Sequence, residues 1–307
     1  MTMTLILEQI FNGLQAGVTL FLVAAGLTLI LGIMDFVFLA HGAQVMIGAY
    51  AAAVITSVTG NFYLGLLLAI PVTFASGYLL ELVIIRHLYQ RDHMEQVLAT
   101  FGLILFFNEL IRIGFGPAAL YSDLPPSLSG FVEILPDTPY PAYRLAVILA
   151  GLVLALAIHL FVSRTRVGAM VRAGANNPAM TAALGINTKI LFRLIFATGA
   201  CFAGVAGMLL GPLTSVQPGM GEPLLILSLV VIIIGGIGSV RGAFVAAIIV
   251  GLVDTLGRVF LPALLRLIID QAAADGAGPA LASMLVYILM AMVLIFRPTG
   301  LFSARGS

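Results

Sequence analysis

Two apolar runs meet in "VTLFLVAAGLTLILGIMDFVFLAHGAQVMIGAYAAAVI", residues 18–55, where at neutral pH only Asp35 and His41 can carry a charge. The runs extend over 8–33 and 37–58, each near the roughly 20 residues that a helix needs to cross the hydrocarbon core. No strict apolar–polar alternation runs through them, so they read as helices and not as strands of a barrel. His41, Gly42 and Gln44 interrupt the second run. A lipid-facing helix has little use for an imidazole or an amide at that depth. The stretch is either a broken, re-entrant helix that faces a pathway or a packed interior with a satisfied core histidine.

The rest of the chain repeats this signal at 62–85, 96–115, 143–162, 190–211, 224–239, 242–262 and 279–296. With 61% hydrophobic and only 9% charged residues, the chain lies far from the roughly 25% charge of a soluble domain. The fold class is an all-α, polytopic transmembrane bundle of about eight or nine spans. It forms a single transmembrane domain over residues 1–307. A net charge of +1 without a basic block gives no footprint for nucleic acid. The lone Cys201 excludes a disulfide framework. "MTMTLILEQI" lacks the basic start and small-residue cleavage site of a removable signal peptide.

Orientation follows the Lys/Arg bias of the loops. The segment 163–193 carries Arg164, Arg166, Arg172, Lys189 and Arg193 with no acid, which marks it as cytoplasmic. Arg86 and Arg91, and Arg297 and Arg305 in the tail, agree with it. The loop 116–142 is then external, and Pro125, Pro126, Pro136, Pro139 and Pro141 favour an extended course there. Counting back puts the N-terminus outside if 37–58 spans fully and inside if it re-enters. Residues 27–55 and 227–254 share one pattern, an apolar helix, a glycine-broken junction and a small-residue helix, as duplicated transporter halves would.

No enzymatic constellation emerges. The phosphate-cradling G-x-x-x-x-G-K-[ST] is absent, and "GGIGSVRG" at 235–242 reads as a helix break or close-packing turn through Gly235, Gly236 and Gly238, with a phosphate site the weaker alternative. His41, His87, His93 and His159 show no metal spacing, so neither a metal nor another cofactor is expected. Glu109 with Arg112 and Asp254 with Arg258 are spaced for local pairing on a helix. Gly199, Ala203, Gly207 and Gly211 lay a small-residue groove along one helix face.

The cytoplasmic segment, about 163–189, is the most informative. Asn177 can cap a helix whose first residue is Pro178, and Gly185 can stop it. A two-turn helix over 178–184 then lies outside the bilayer. It is either a plain connector or a docking element built from Arg172, Asn176, Asn177, Pro178, Thr181 and Gly185.

"AHG" and "MIGAY" (40–50), "RAGANNPAMTAALGIN" (172–187), "AGVAGMLLG" (203–211), "GGIGSVRGAFVAAIIVGL" (235–252) and "FRPTGLF" (296–302) together resemble the permease subunit of branched-chain amino acid ABC importers, the LivH type. The resemblance implies a multi-pass inner-membrane permease with His41, Gly42 and Gln44 along the substrate route. It also implies a second, LivM-like permease, two cytoplasmic ATPase subunits that use the ATP, and a periplasmic substrate-binding protein. A self-sufficient secondary carrier or channel is the alternative. The chain departs from the family at Phe38, usually Asn, and at Ala43, often an acid. Ala179, Met180 and Thr181 replace the usual Glu-Ala-Ala, so docking there relies on shape and helix ends instead of a carboxylate.

Overall fold

The computed structural model describes residues 3–135 and 138–302. Pro136, Arg305 and the side chains of Asn176 and Pro178 lie outside the described set. In chain order the elements are α1 (Met3–Met34), α2 (His41–Thr59), α3 (Phe62–Val83), α4 (His93–Phe115), β1 (Phe131–Leu135), β2 (Thr138–Pro141), α5 (Ala142–Arg164), α6 (Arg166–Asn176), α7 (Pro178–Ala183), α8 (Thr188–Leu210), α9 (Glu222–Gly235), α10 (Val240–Leu265) and α11 (Gln271–Phe296). Among the described residues eight helices are long and apolar enough to cross a bilayer, and α9 is a shorter apolar one. At about 1.5 Å per residue α9 reaches only about 21 Å, short of the roughly 30 Å hydrocarbon thickness. The external loop contains an antiparallel hairpin, β1 against β2.

Neighbour contacts fix the directions. Asn12 accepts hydrogen bonds from Tyr140 (3.1 Å) and Arg144 (2.6 Å), and Gly151 packs on Val18, so α1 and α5 run the same way. Gly13 packs on Leu252 and Gly32 on Gly238, so α10 runs the opposite way to α1. With the basic segment taken as cytoplasmic on its Lys/Arg bias, the end of α1 and the start of α10, which lie at the same end of the bundle, are on that side. The start of α1 is then external, and α2 runs outward.

The break in the second apolar run lies earlier than the His41–Gly42 interruption suggests. Helix α1 stops at Met34, residues 35–38 form no regular element, and α2 begins at His41. Asp35 has φ 50°, a left-handed conformation that Asp tolerates better than most residues. Phe36 and Phe38 are fully buried, so this strap is interior. Non-helical backbone at membrane depth survives only where protein groups satisfy it, and α4 supplies them. Gln96 Oε1 accepts from the Val37 amide (3.1 Å) and Thr100 Oγ1 from the Leu39 amide (3.3 Å). The Gln96 amide group in turn donates to the carbonyls of Leu88 (3.3 Å) and Arg91 (3.0 Å), which fixes its orientation.

A second junction, between α9 and α10, is treated likewise. Gly236 (φ 101°) and Gly238 (φ 83°) take conformations that only glycine adopts without strain. The last carbonyls of α9 accept from the tail, Ile234 from the Leu301 amide (2.8 Å) and Gly235 from the Phe302 amide (3.0 Å). "GGIGS" and "PTGLF" are therefore one structural unit, although α10 and α11 separate them in the chain. Gly32 lies directly on Gly238, so α1 ends against this second junction.

Between these junctions α1, α2 and α8 meet backbone to backbone. A β-carbon on Gly26 would fall on the Gly199 carbonyl, and one on Gly48 on the Gly204 carbonyl. Gly207 meets Val45 in the same way. Toward the cytoplasmic end, Arg193 on α8 pairs with Glu81 on α3 at 2.8 Å, with Glu81 only 2% exposed. Tyr89 donates to the same carboxylate, and burial reinforced by Glu81 pushes its phenol well above the usual range, so it stays a donor. The local pairs Glu109–Arg112 (3.4 Å) and Asp254–Arg258 (2.9 Å) are present.

Thr100→Val and Gln96→Ala each strip a partner from a buried strap amide, at a cost of about 1–3 kcal/mol. The thermal midpoint of the detergent-solubilised protein should fall for both and stay near wild type for Thr100→Ser. A wild-type midpoint for Thr100→Val would show that the strap does not depend on α4.

Candidate functional site

The first turn of α2 gathers three of the residues singled out above. His41 has no exposed surface; its Nε2–H donates to the Val23 carbonyl of α1 at 3.0 Å, and the Phe38 ring lies edge-on at 5.9 Å. Gln44 is equally buried, and its Oε1 accepts from the Ser76 hydroxyl of α3 at 2.8 Å. Gly42 presses its backbone against the backbone of Gly221, the residue that precedes α9. Neither His41 nor Gln44 presents a side chain to open space in this structure. The chain shows a polar residue at depth, but the packing of α1 and α3 decides which way it points.

What the site does present is a meeting of helix starts. Helix α2 begins at His41 and runs outward; α9 begins at Glu222 and runs toward the cytoplasmic junction. Their N-terminal ends abut at Gly42 and Gly221, where only glycine permits the approach. Each helix start carries a partial positive charge. Glu222 stands in the first turn of α9 and accepts from the Asn108 amide of α4. Glu222 and Asn108 were not singled out in the sequence, although an acid just before the run "PLLILSLVVIII" is a legible helix-start signal.

The cytoplasmic segment folds as α6 and α7. Thr165 caps α6 by accepting from the Gly168 amide at 3.0 Å. Asn177 Oδ1 accepts from the Met180 amide at 2.9 Å, and Pro178 opens α7. Gly185 is left-handed (φ 85°), with Gly185 N–H donating to Ala182 O (3.0 Å) and Ile186 N–H to Thr181 O (3.3 Å). That is the paired closure of a Schellman end. Arg172 donates to the Val162 carbonyl and ties α6 back to α5.

Thr181, taken as a docking contact, is instead 2% exposed and donates to the Asn177 carbonyl, so it faces inward. The large apolar side chains that α7 and its C-cap leave exposed are Met180 (59% exposed) and Leu184 (74% exposed). Their i, i+4 spacing puts them on one face, about a quarter-turn from Thr181, a signal legible in the sequence. Asn187 then caps α8 through the Ile190 amide (3.2 Å), so few residues separate the end of α7 from the helix that carries Gly199, Gly204 and Gly207.

Among the described residues no group of His, Cys, Asp and Glu side chains could hold a metal ion. The model for the branched-chain amino acid transport system / permease component family matches residues 9–294. The high-affinity branched-chain amino acid transport system permease protein BraD of Pseudomonas aeruginosa is 29% identical over 96% of this chain and 95% of its own length. The corresponding LivH protein of Escherichia coli is 27% identical over 96% and 94%. A probable branched-chain amino acid transport permease protein LivH of Methanocaldococcus jannaschii is 26% identical over 92% and 88%. No solved structure matches the chain. With the family model covering nearly its whole length, this multi-pass membrane chain belongs to the permease components of branched-chain amino acid transport systems.

Proposed function

We propose that this chain forms half of a translocation route for branched-chain amino acids or close relatives across the plasma membrane. A second, similar permease supplies the other half, two separate ATPase subunits supply the energy, and an extracytoplasmic binding protein delivers the substrate. The observation that carries the reading is the meeting of α2 and α9 at Gly42 and Gly221. Two helix starts at depth favour a carboxylate beside them, as in the broken helices of other transporters. Glu222, the residue after Gly221, would attract the ammonium of the same zwitterion. The aliphatic side chain asks only for apolar surroundings, which this bundle offers on every side.

His41 and Gln44 act here as positioning residues. By holding α2 to Val23 and Ser76 they fix the first turn that the substrate passes. The motor acts at the other end. A stroke outside the membrane needs a rigid lever, and α7 is closed at both ends and joined closely to α8. Motion of α7 then moves the glycine face on which α1 and α2 rest.

Reconstituted alone, the chain should give no leucine uptake under an ion gradient, whereas co-reconstitution with its ATPase and permease partners and the binding protein should give ATP-dependent uptake. Gradient-driven uptake by the chain alone would overturn the reading.

Met180→Asp with Leu184→Asp should abolish ATPase-subunit association, measured by co-purification, with membrane insertion retained. A cysteine at Met180 or Leu184 should crosslink to the ATPase, and one at buried Thr181 should not. Full association of the double variant would exclude α7 as the lever.

A further inference from the structure

Between α5 and α10 the bundle leaves a crevice of about 370 Å³, and no part of the proposed route uses it. Its walls include Phe21, Leu152, Leu156, Phe244 and Val245. Leu152 (42%), Leu156 (59%) and Val245 (36%) remain exposed, so the crevice opens sideways toward the bilayer. At its cytoplasmic end it joins a second cavity of about 390 Å³, because His159, Val240 and Arg241 line both. Val162, Ser163, Arg172, Gly238 and Ser239 complete the second cavity.

The two parts differ in chemistry. Apart from the shared His159 and Arg241, the first is aliphatic and aromatic. The second carries two guanidinium groups and an imidazole, and no acid lines either cavity. Among the described residues Arg241 has no acidic partner within ion-pair distance. Arg172 spends one N–H on the Val162 carbonyl and keeps the others. The buried Ser163 hydroxyl oxygen has no hydrogen-bond partner. The start of α10, capped at Ser239, adds the positive end of a helix dipole.

We propose that this continuous pocket binds one anionic phospholipid of the cytoplasmic leaflet, its phosphate among Arg241, Arg172 and His159 and an acyl chain in the α5–α10 crevice. A free phosphate would use only the basic end and leave the apolar crevice unexplained. A lipid uses both, and basic pockets between membrane helices at the cytoplasmic face suit anionic head groups. The bound lipid would tie α5, α6 and α10 together beside the platform that carries α7.

The test uses the full chain in phosphatidylcholine nanodiscs with and without phosphatidylglycerol, read by native mass spectrometry after release. Wild type should retain one phosphatidylglycerol in preference to phosphatidylcholine. Arg241→Gln should weaken that retention about fivefold, the loss expected for one basic contact at the membrane surface. Leu156→Trp, which fills the crevice at a lipid-exposed position, should weaken it without removing a charge. Equal retention of the two lipids, or unchanged retention in both variants, would overturn the proposal. So would competition by millimolar inorganic phosphate, which would mark a site for a free anion. Crosslinking of a cysteine at Leu156 to the second permease in a lipid-free complex would show a protein seated there instead, and would equally overturn it.

Discussion

A backbone amide stripped of water inside a bilayer must find a protein acceptor, and this requirement organises the structure more than any side-chain contact does. The chain leaves helical geometry at membrane depth between α1 and α2, and again at the cytoplasmic end of the bundle between α9 and α10. The first departure is answered from α4 by Gln96 and Thr100, one helical turn apart and matched to alternate amides of the strap. The second is answered by the tail, whose amides cover the last carbonyls of α9. Both solutions recruit distant segments, so helices that share little other packing are bound into one frame.

The frame places two helix starts face to face. An uninterrupted α1–α2 hairpin would carry the chain past the bilayer before turning, and α2 would begin outside the hydrocarbon. The strap returns the chain inward, so that His41 opens α2 among buried residues and Gly42 meets Gly221. Glycine contacts between α8 and both α1 and α2 keep this arrangement tight; a single added methyl would collide with backbone that has no room to relax. The capped α7 and the closely following α8 connect that packing to the cytoplasm. On the proposed reading, attraction of the substrate and coupling to the motor share this one path.

Span positions, the basic cytoplasmic segment and the capped helix at 178 were legible because they depend on local rules: run length, charge bias and the preferences of Asn, Pro and Gly at helix ends. Side-chain direction was not. His41 stands out in the sequence, yet whether it faces inward depends on Val23 in another helix. Gln96 and Thr100 look like ordinary polar residues near a helix start, and their role exists only because the strap lies beside them. Glu81 carried a partial signal, since a buried acid demands a partner. Nothing in its surroundings pointed to Arg193, which lies in another helix.

Amide hydrogen–deuterium exchange of the full chain in lipid nanodiscs probes the protected junctions most directly. The amides of Val37, Leu39, Leu301 and Phe302 should exchange as slowly as those in the middle of α8, although none lies in a helix. Rapid exchange at Val37 and Leu39 with α8 fully protected would contradict the account, because a strap open to water could not hold the start of α2 in place.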